Sequence, residues 1–119
     1  MPDYIKLLNI SAENIKKTED SALVHFSVPR SLPWFDGHFP SQPVLPAVIT
    51  AEISDALIEK VYGISPQLVS NAKFKGPIFP DTDLIVILSK HSDDSVSTIW
   101  RKSDEIDTEQ FLADMRFPI

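Results

Sequence analysis

Two side chains able to exchange protons, His38 and Glu52, lie in one stretch that runs from Trp34 to Glu52 and is unlike the rest of the chain. Prolines at 40, 43 and 46 fix three backbone φ angles and remove three amide donors. They also push Phe39, Gln42 and Leu45 toward extended geometry, so regular structure is excluded and a stiff loop is expected. Gly37, directly before His38, is the one position there free to take positive φ, which would let the backbone turn sharply beside the imidazole. Pro46 suits a helix start, and the apolar segment that follows carries the carboxylate of Glu52 in its second turn. Taken as residues alone, the pair also fits a loop histidine bonded to backbone and a surface carboxylate.

A helix over 47–62 is the element that must position Glu52, with Gly63 as the residue after its C-terminus. Ala47, Val48, Ile49, Ala51, Ile53, Ala56, Leu57, Ile58 and Val61 cover most of its circumference at 100° per residue, which predicts extensive burial. Glu52, Asp55 and Glu59 form a narrow polar stripe at helical spacing, of which Asp55 and Glu59 read as facing water. Strands are expected near 4–10 and 22–28, joined through the polar run Lys16 to Ser21, and then near 66–75, 84–91, 95–102 and 109–117. Leu68, Ala72 and Phe74 alternate with Asn71, Lys73 and Lys75, and Phe111, Ala113, Met115 and Phe117 with Gln110, Asp114 and Arg116. An α+β fold follows: an antiparallel sheet of about six strands wrapped around one long helix, with edge strands that invite pairing with a second copy.

With 119 residues and 43% hydrophobic content, the chain is read as one domain, 1–119. The absence of cysteine removes thiolate zinc sites, disulfides and cysteine nucleophiles, and His25, His38 and His91 have no ligand spacing, so neither metal nor cofactor is expected. A net charge of −6 argues against nucleic acid as a partner. Neither a signal segment nor an apolar run long enough to span a membrane is read from the sequence, so a cytoplasmic location is expected. Beside the doublets Lys16-Lys17 and Arg101-Lys102, Lys73 with Lys75 is the close basic pair considered for docking an acidic carrier.

Gly37-His38-Phe39-Pro40, Pro43-Val44, Pro46 with Val48, Glu52 on the helix, then Phe74-Lys75-Gly76-Pro77 and Pro80-Asp81-Thr82-Asp83 agree in order and spacing with one family. Over about Trp34 to Val86 the chain resembles the 3-hydroxyacyl-[acyl carrier protein] dehydratases of the hotdog fold, in particular the compact types that include those of aryl polyene pathways. The resemblance implies that His38 removes the C2 proton and that Glu52 acts as the acid for the departing hydroxyl, or positions it with a water. The Ala47 amide at the helix start then faces the thioester oxygen, with Gly37, Phe39 and Pro46 shaping the site. It also implies an acyl carrier protein or acyl thioester as partner and a homodimer, or an oligomer of dimers, whose sites draw on two protomers. One departure is Ala47, where the family usually has glycine; it adds a Cβ beside the helix start. A hotdog acyl thioesterase and a non-catalytic acyl-binding subunit are the competing readings.

Overall fold

The structure is a computed structural model, and the description covers all residues except 1, 36–42, 67 and 107–108. Its elements, in chain order, are α1 (Tyr4–Leu7), β1 (Ile15–Lys17), β2 (Ser21–Phe26), α2 (Ala47–Tyr62), β3 (Asn71–Phe74), β4 (Leu84–His91), β5 (Ser95–Lys102) and β6 (Ala113–Pro118), with short 3-10 turns at Ala12–Asn14, Pro33–Phe35 and Ser103–Glu105. The six strands form one sheet in the order β1-β2-β4-β5-β6-β3, every neighbouring pair antiparallel. Sheet and helix give the α+β hotdog arrangement expected from the sequence.

Alternation explains how the sheet finds its register. Val24, Val86, Trp100 and Ala113 lie opposite one another across β2, β4, β5 and β6, and Ala22, Leu88, Thr98 and Met115 form the neighbouring row. All eight are buried, and a slip by one residue in any strand would turn its apolar set to the other face. Against this face α2 packs Ile53, Leu57, Ile58 and Val61. The Trp100 indole Nε1–H donates to Ser54 Oγ at 2.9 Å, and Ser54 Oγ in turn donates to the Thr50 carbonyl at 2.9 Å. A polar thread thus pins the helix to the centre of the sheet where both surfaces are dry.

The helix bounds agree with the spacing. Pro46 stands at the N-cap in extended conformation, and its carbonyl accepts from the Thr50 amide at 3.0 Å and the Thr50 hydroxyl at 3.2 Å. Gly63, at φ 68°, takes the left-handed conformation after the last turn and donates its amide to the Glu59 carbonyl at 2.8 Å. No helix among the described residues is long and apolar enough to cross a membrane.

Three expectations are corrected. The weakly alternating segment 4–10 is not a strand but opens on α1: Asp3 caps it by accepting from the Lys6 amide at 3.2 Å, and Tyr4 and Leu8, four apart, are both buried. The strand that pairs with β2 is instead Ile15–Lys17, so Lys16 and Lys17 belong to an edge strand and the turn is shorter than the polar run suggests. The burial of α2 is also less complete than its apolar circumference predicts. The sheet covers one side only, leaving Val48 at 63% exposure and Ala47 open to solvent.

Candidate active site around the start of the long helix

Glu52 sits one turn and a half into α2, half-buried rather than solvated, because α1 packs alongside. The Tyr4 hydroxyl donates to Glu52 Oε1 at 2.9 Å. Tyr4 itself is 2% exposed, and its ring lies 5.2 Å from that of Trp34 at 46°. Burial, the bond to Glu52 and the charge of Glu52, in that order, push the Tyr4 phenol up to about 12. It therefore stays protonated and remains the donor throughout the ordinary pH range.

Asp55 and Glu59 continue the stripe. Burial, followed by the neighbouring charges of Glu59 and Glu52, raises the Asp55 carboxyl above its ordinary value. With Pro2, Asp3, Tyr4, Ile5, Ala56 and Lys60 these two line a cleft of about 630 Å³ between the N-terminal segment and α2. Asp55 is thus partly enclosed, where the sequence reading had it simply facing water; Glu59 is exposed as expected.

Two of the loop segments named in the sequence meet at the helix entry. The Leu45 amide donates to the Ile78 carbonyl at 2.8 Å, tying the approach to α2 onto the Gly76–Pro80 segment. On the other side the Asp81 amide donates to the Val28 carbonyl at 2.9 Å, and Asp81 Oδ1 accepts from the Arg30 amide at 3.3 Å. Asp81 adopts φ 60°, a conformation that aspartate tolerates better than most residues. The turn at 78–81 therefore clasps both stems of the stretch that contains His38. Gly76 has a packing reason as well: a Cβ there would meet Leu112 Cδ2 at 3.2 Å, while its amide donates to the Leu112 carbonyl at 3.4 Å.

His38, Gly37 and Phe39 lie outside the described residues. Trp34 and Phe35, which lead into them, are anchored: Phe35 is buried, and Trp34 packs on the core. Pro46 is half-buried at the N-cap, and Ala47 is the exposed first residue of α2, at the positive end of the helix. Lys73 and Lys75 are both exposed. Lys75 holds its Nζ 4.6 Å from the centre of the Phe111 ring and shares a depression of about 350 Å³ with Lys102, Phe79 and Pro77. Lys73 lines a smaller hollow with Asn71, Asp114 and Arg116. Among the described residues no group of three or more His, Asp or Glu is placed to hold a metal ion.

Tyr4 is not singled out in the sequence, and Lys102 is noted there only within its doublet with Arg101, not with Lys75. Asp3 followed by Tyr4 and Leu8 at helical spacing was the available signal for the first, but four residues are too few for periodicity to outweigh a weak alternation. Lys102 is brought beside Lys75 by the β5–β6 connection, which no local pattern encodes.

A helix buried on one face and carried on a six-stranded antiparallel sheet is the arrangement of a hotdog-fold protein. Residues 14–111 match the ApeI-like family, described as ApeI dehydratase, and the chain belongs to that family. A 3-hydroxyacyl-[acyl-carrier-protein] dehydratase, FabZ, of Rhodospirillum rubrum is 29% identical over an alignment of length 82 that covers 60% of this chain and 51% of that protein. The chain thus spans about half the length of that curated relative. The dehydratase heterocomplex ApeI:P from Xenorhabdus doucetiae superposes with a TM-score of 0.70 at 21% identity, over 87% of this chain and 89% of that one. An uncharacterised protein from Erwinia carotovora subsp. atroseptica gives a TM-score of 0.70 at 27% identity, over 88% of each chain.

Proposed function

We propose that the protein is a lyase that dehydrates a 3-hydroxyacyl thioester, carried by an acyl carrier protein, to the trans-2-enoyl thioester in a fatty acid or polyene type of biosynthesis. One domain spanning 1–119 supplies the chemistry. The observation that carries this reading is the carboxylate of Glu52, half-buried in the second turn of α2 and held on one oxygen by the Tyr4 hydroxyl at 2.9 Å, in a chain of a dehydratase family.

In this reading the neutral imidazole of His38 takes the C2 proton, and the electron pair released forms the C2=C3 double bond. The C3–O bond breaks as Glu52, acting in its protonated form, gives its proton to the departing hydroxyl, which leaves as water while Glu52 becomes the carboxylate. Negative charge that develops on the thioester oxygen is met by the Ala47 amide at the positive end of α2, aided by the helix dipole. Gly37, Phe39 and Pro46 shape the walls. His38 and Glu52 of one site come from different protomers of a homodimer, as the family resemblance implies. Two features support the pairing of copies: β3 is an edge strand whose four residues are all exposed, and Phe74 on it is 46% exposed, with Leu68 before it at 91%. The docking of an acidic carrier is assigned to Lys73 and Lys75, with Lys102 added beside Lys75.

The experiment is incubation with a panel of 3-hydroxyacyl thioesters, following loss of water by mass and free thiol separately. Enoyl product without thiol is expected; thiol release would make the protein a thioesterase, and neither product a non-catalytic subunit. His38→Ala and Glu52→Gln are each expected to lose about a hundredfold to ten-thousandfold in kcat, since each removes a proton-transfer group. Mixing the two inactive variants is expected to restore up to about a quarter of wild-type activity, because half of the randomly exchanged dimers would carry one intact site. No recovery after proven exchange would put both groups in one chain.

A further inference from the structure

We propose that Tyr4 is a positioning residue for Glu52: its hydroxyl fixes one carboxylate oxygen so that the other is presented in a single orientation to the substrate hydroxyl. The inference rests on the role given to Glu52 above. Tyr4 lies before residue 14, where the match to the family model begins.

The geometry is built to hold the hydroxyl still. Asp3 caps α1 through the Lys6 amide, and the Leu7 and Leu8 amides close the turn on the carbonyls of Asp3 and Tyr4 at 3.0 and 2.9 Å. Trp34 lies against the Tyr4 ring at 5.2 Å and restricts its rotation. If this position served only to fill the core, phenylalanine would do so without placing a polar atom in a site that is 2% exposed. The buried hydroxyl needs an acceptor, and the one it has is Glu52 Oε1 at 2.9 Å. Among the described residues Glu52 Oε2 has no hydrogen-bond partner, so it is the oxygen left for chemistry. A glutamate at an open helix position samples several rotamers; one fixed oxygen removes most of them. Because the phenol is pushed up to about 12, the donor does not titrate away at any pH where the enzyme would work.

The test is Tyr4→Phe, alone and combined with Glu52→Gln, assayed on the 3-hydroxyacyl thioester that wild type turns over fastest, with kcat, KM and the thermal midpoint measured for each variant. The expected result for Tyr4→Phe is a drop in kcat of about tenfold to a hundredfold with KM unchanged, as for other residues that orient a reacting group. In the Glu52→Gln background the same substitution is expected to change the residual rate less than about twofold, because there is no longer a carboxylate to orient. Wild-type kcat in Tyr4→Phe, beside an inactive Glu52→Gln, would overturn the inference and leave the role of Glu52 standing. An equal loss in both backgrounds would also overturn it, since Tyr4 would then act elsewhere. An active Glu52→Gln, or a wild type inert toward the whole panel, would remove the role of Glu52 and the inference together. Should Tyr4→Phe lower the thermal midpoint, all variants are assayed at a temperature where it is folded, and Trp34→Phe serves as the comparison. It loosens the same packing but keeps the hydroxyl, so a kcat loss as large as that of Tyr4→Phe would make the effect one of packing and overturn the proposal.

Discussion

The electrostatics of single residues along α2 differ more than their shared helical stripe suggests. Glu52 is held by a donor, Glu59 is exposed, and Asp55 lies between them, half-buried and facing two like charges. Its carboxyl is raised from 3.8, by burial first and by Glu59 and Glu52 after it, so the folded state resists the charge that Asp55 carries at neutral pH. A raised carboxyl favours folding when protonated and loses that advantage as pH rises. Asp55→Asn is therefore expected to raise the thermal midpoint at neutral pH, with the gain disappearing below pH 3.8, where the native and unfolded aspartates are both protonated. Thermal unfolding of both proteins across that range checks it; a gain that persisted in acid would assign the effect to something other than charge.

At the scale of elements, the seating of α2 on the sheet depends on one buried polar contact as well as on apolar packing. Trp100 is fully buried on the inner row of β5, and its indole N–H finds its acceptor in Ser54. Ser54→Ala would improve intrinsic helix propensity slightly but leave that donor without a partner, so a net cost of about 1 to 2 kcal/mol is expected. Urea denaturation checks it: the midpoint should fall while the slope stays the same. Stability equal to wild type would mean that Trp100 donates elsewhere. The turn at 78–81 acts in a comparable way for the loop stems, with Ile78 and Asp81 fixing Leu45 on one side and Val28 on the other. Asp81 closes this clasp with both its amide and its side chain, which gives the Pro80-Asp81-Thr82-Asp83 motif a structural reason independent of any reaction.

For the molecule as a whole, large apolar groups stay exposed beside the edge strand β3 and at the start of α2. Leu68, Phe74 and Val48 are 91%, 46% and 63% exposed, and β3 offers its outer edge for further pairing. A surface of this kind is costly for a monomer to keep in water. Light scattering at micromolar concentration is expected to give a mass of at least twice the 13.4 kDa of the chain. A strictly monomeric protein would remove the composite arrangement of His38 and Glu52.

Local chemistry was enough to write much of this down from the sequence. Pro46 and Gly63 bound α2 because their φ preferences are intrinsic, and the strands expected at 84–91 and 95–102 form over those residues, buried on both faces at their starts. Ala113, Met115 and Phe117 likewise turned inward as their period of two required. The residues that carry the family resemblance are also local motifs, which is why they could be read before any contact was known. What local patterns could not encode was set by long-range packing. Tyr4 reaches Glu52 across 48 positions of sequence, and Trp100 reaches Ser54 across 46. The exposure of Val48 arises because the sheet has only one face to offer α2. Hydrophobicity along a chain records that a side chain should leave water, but the surface that receives it exists only once distant strands have paired.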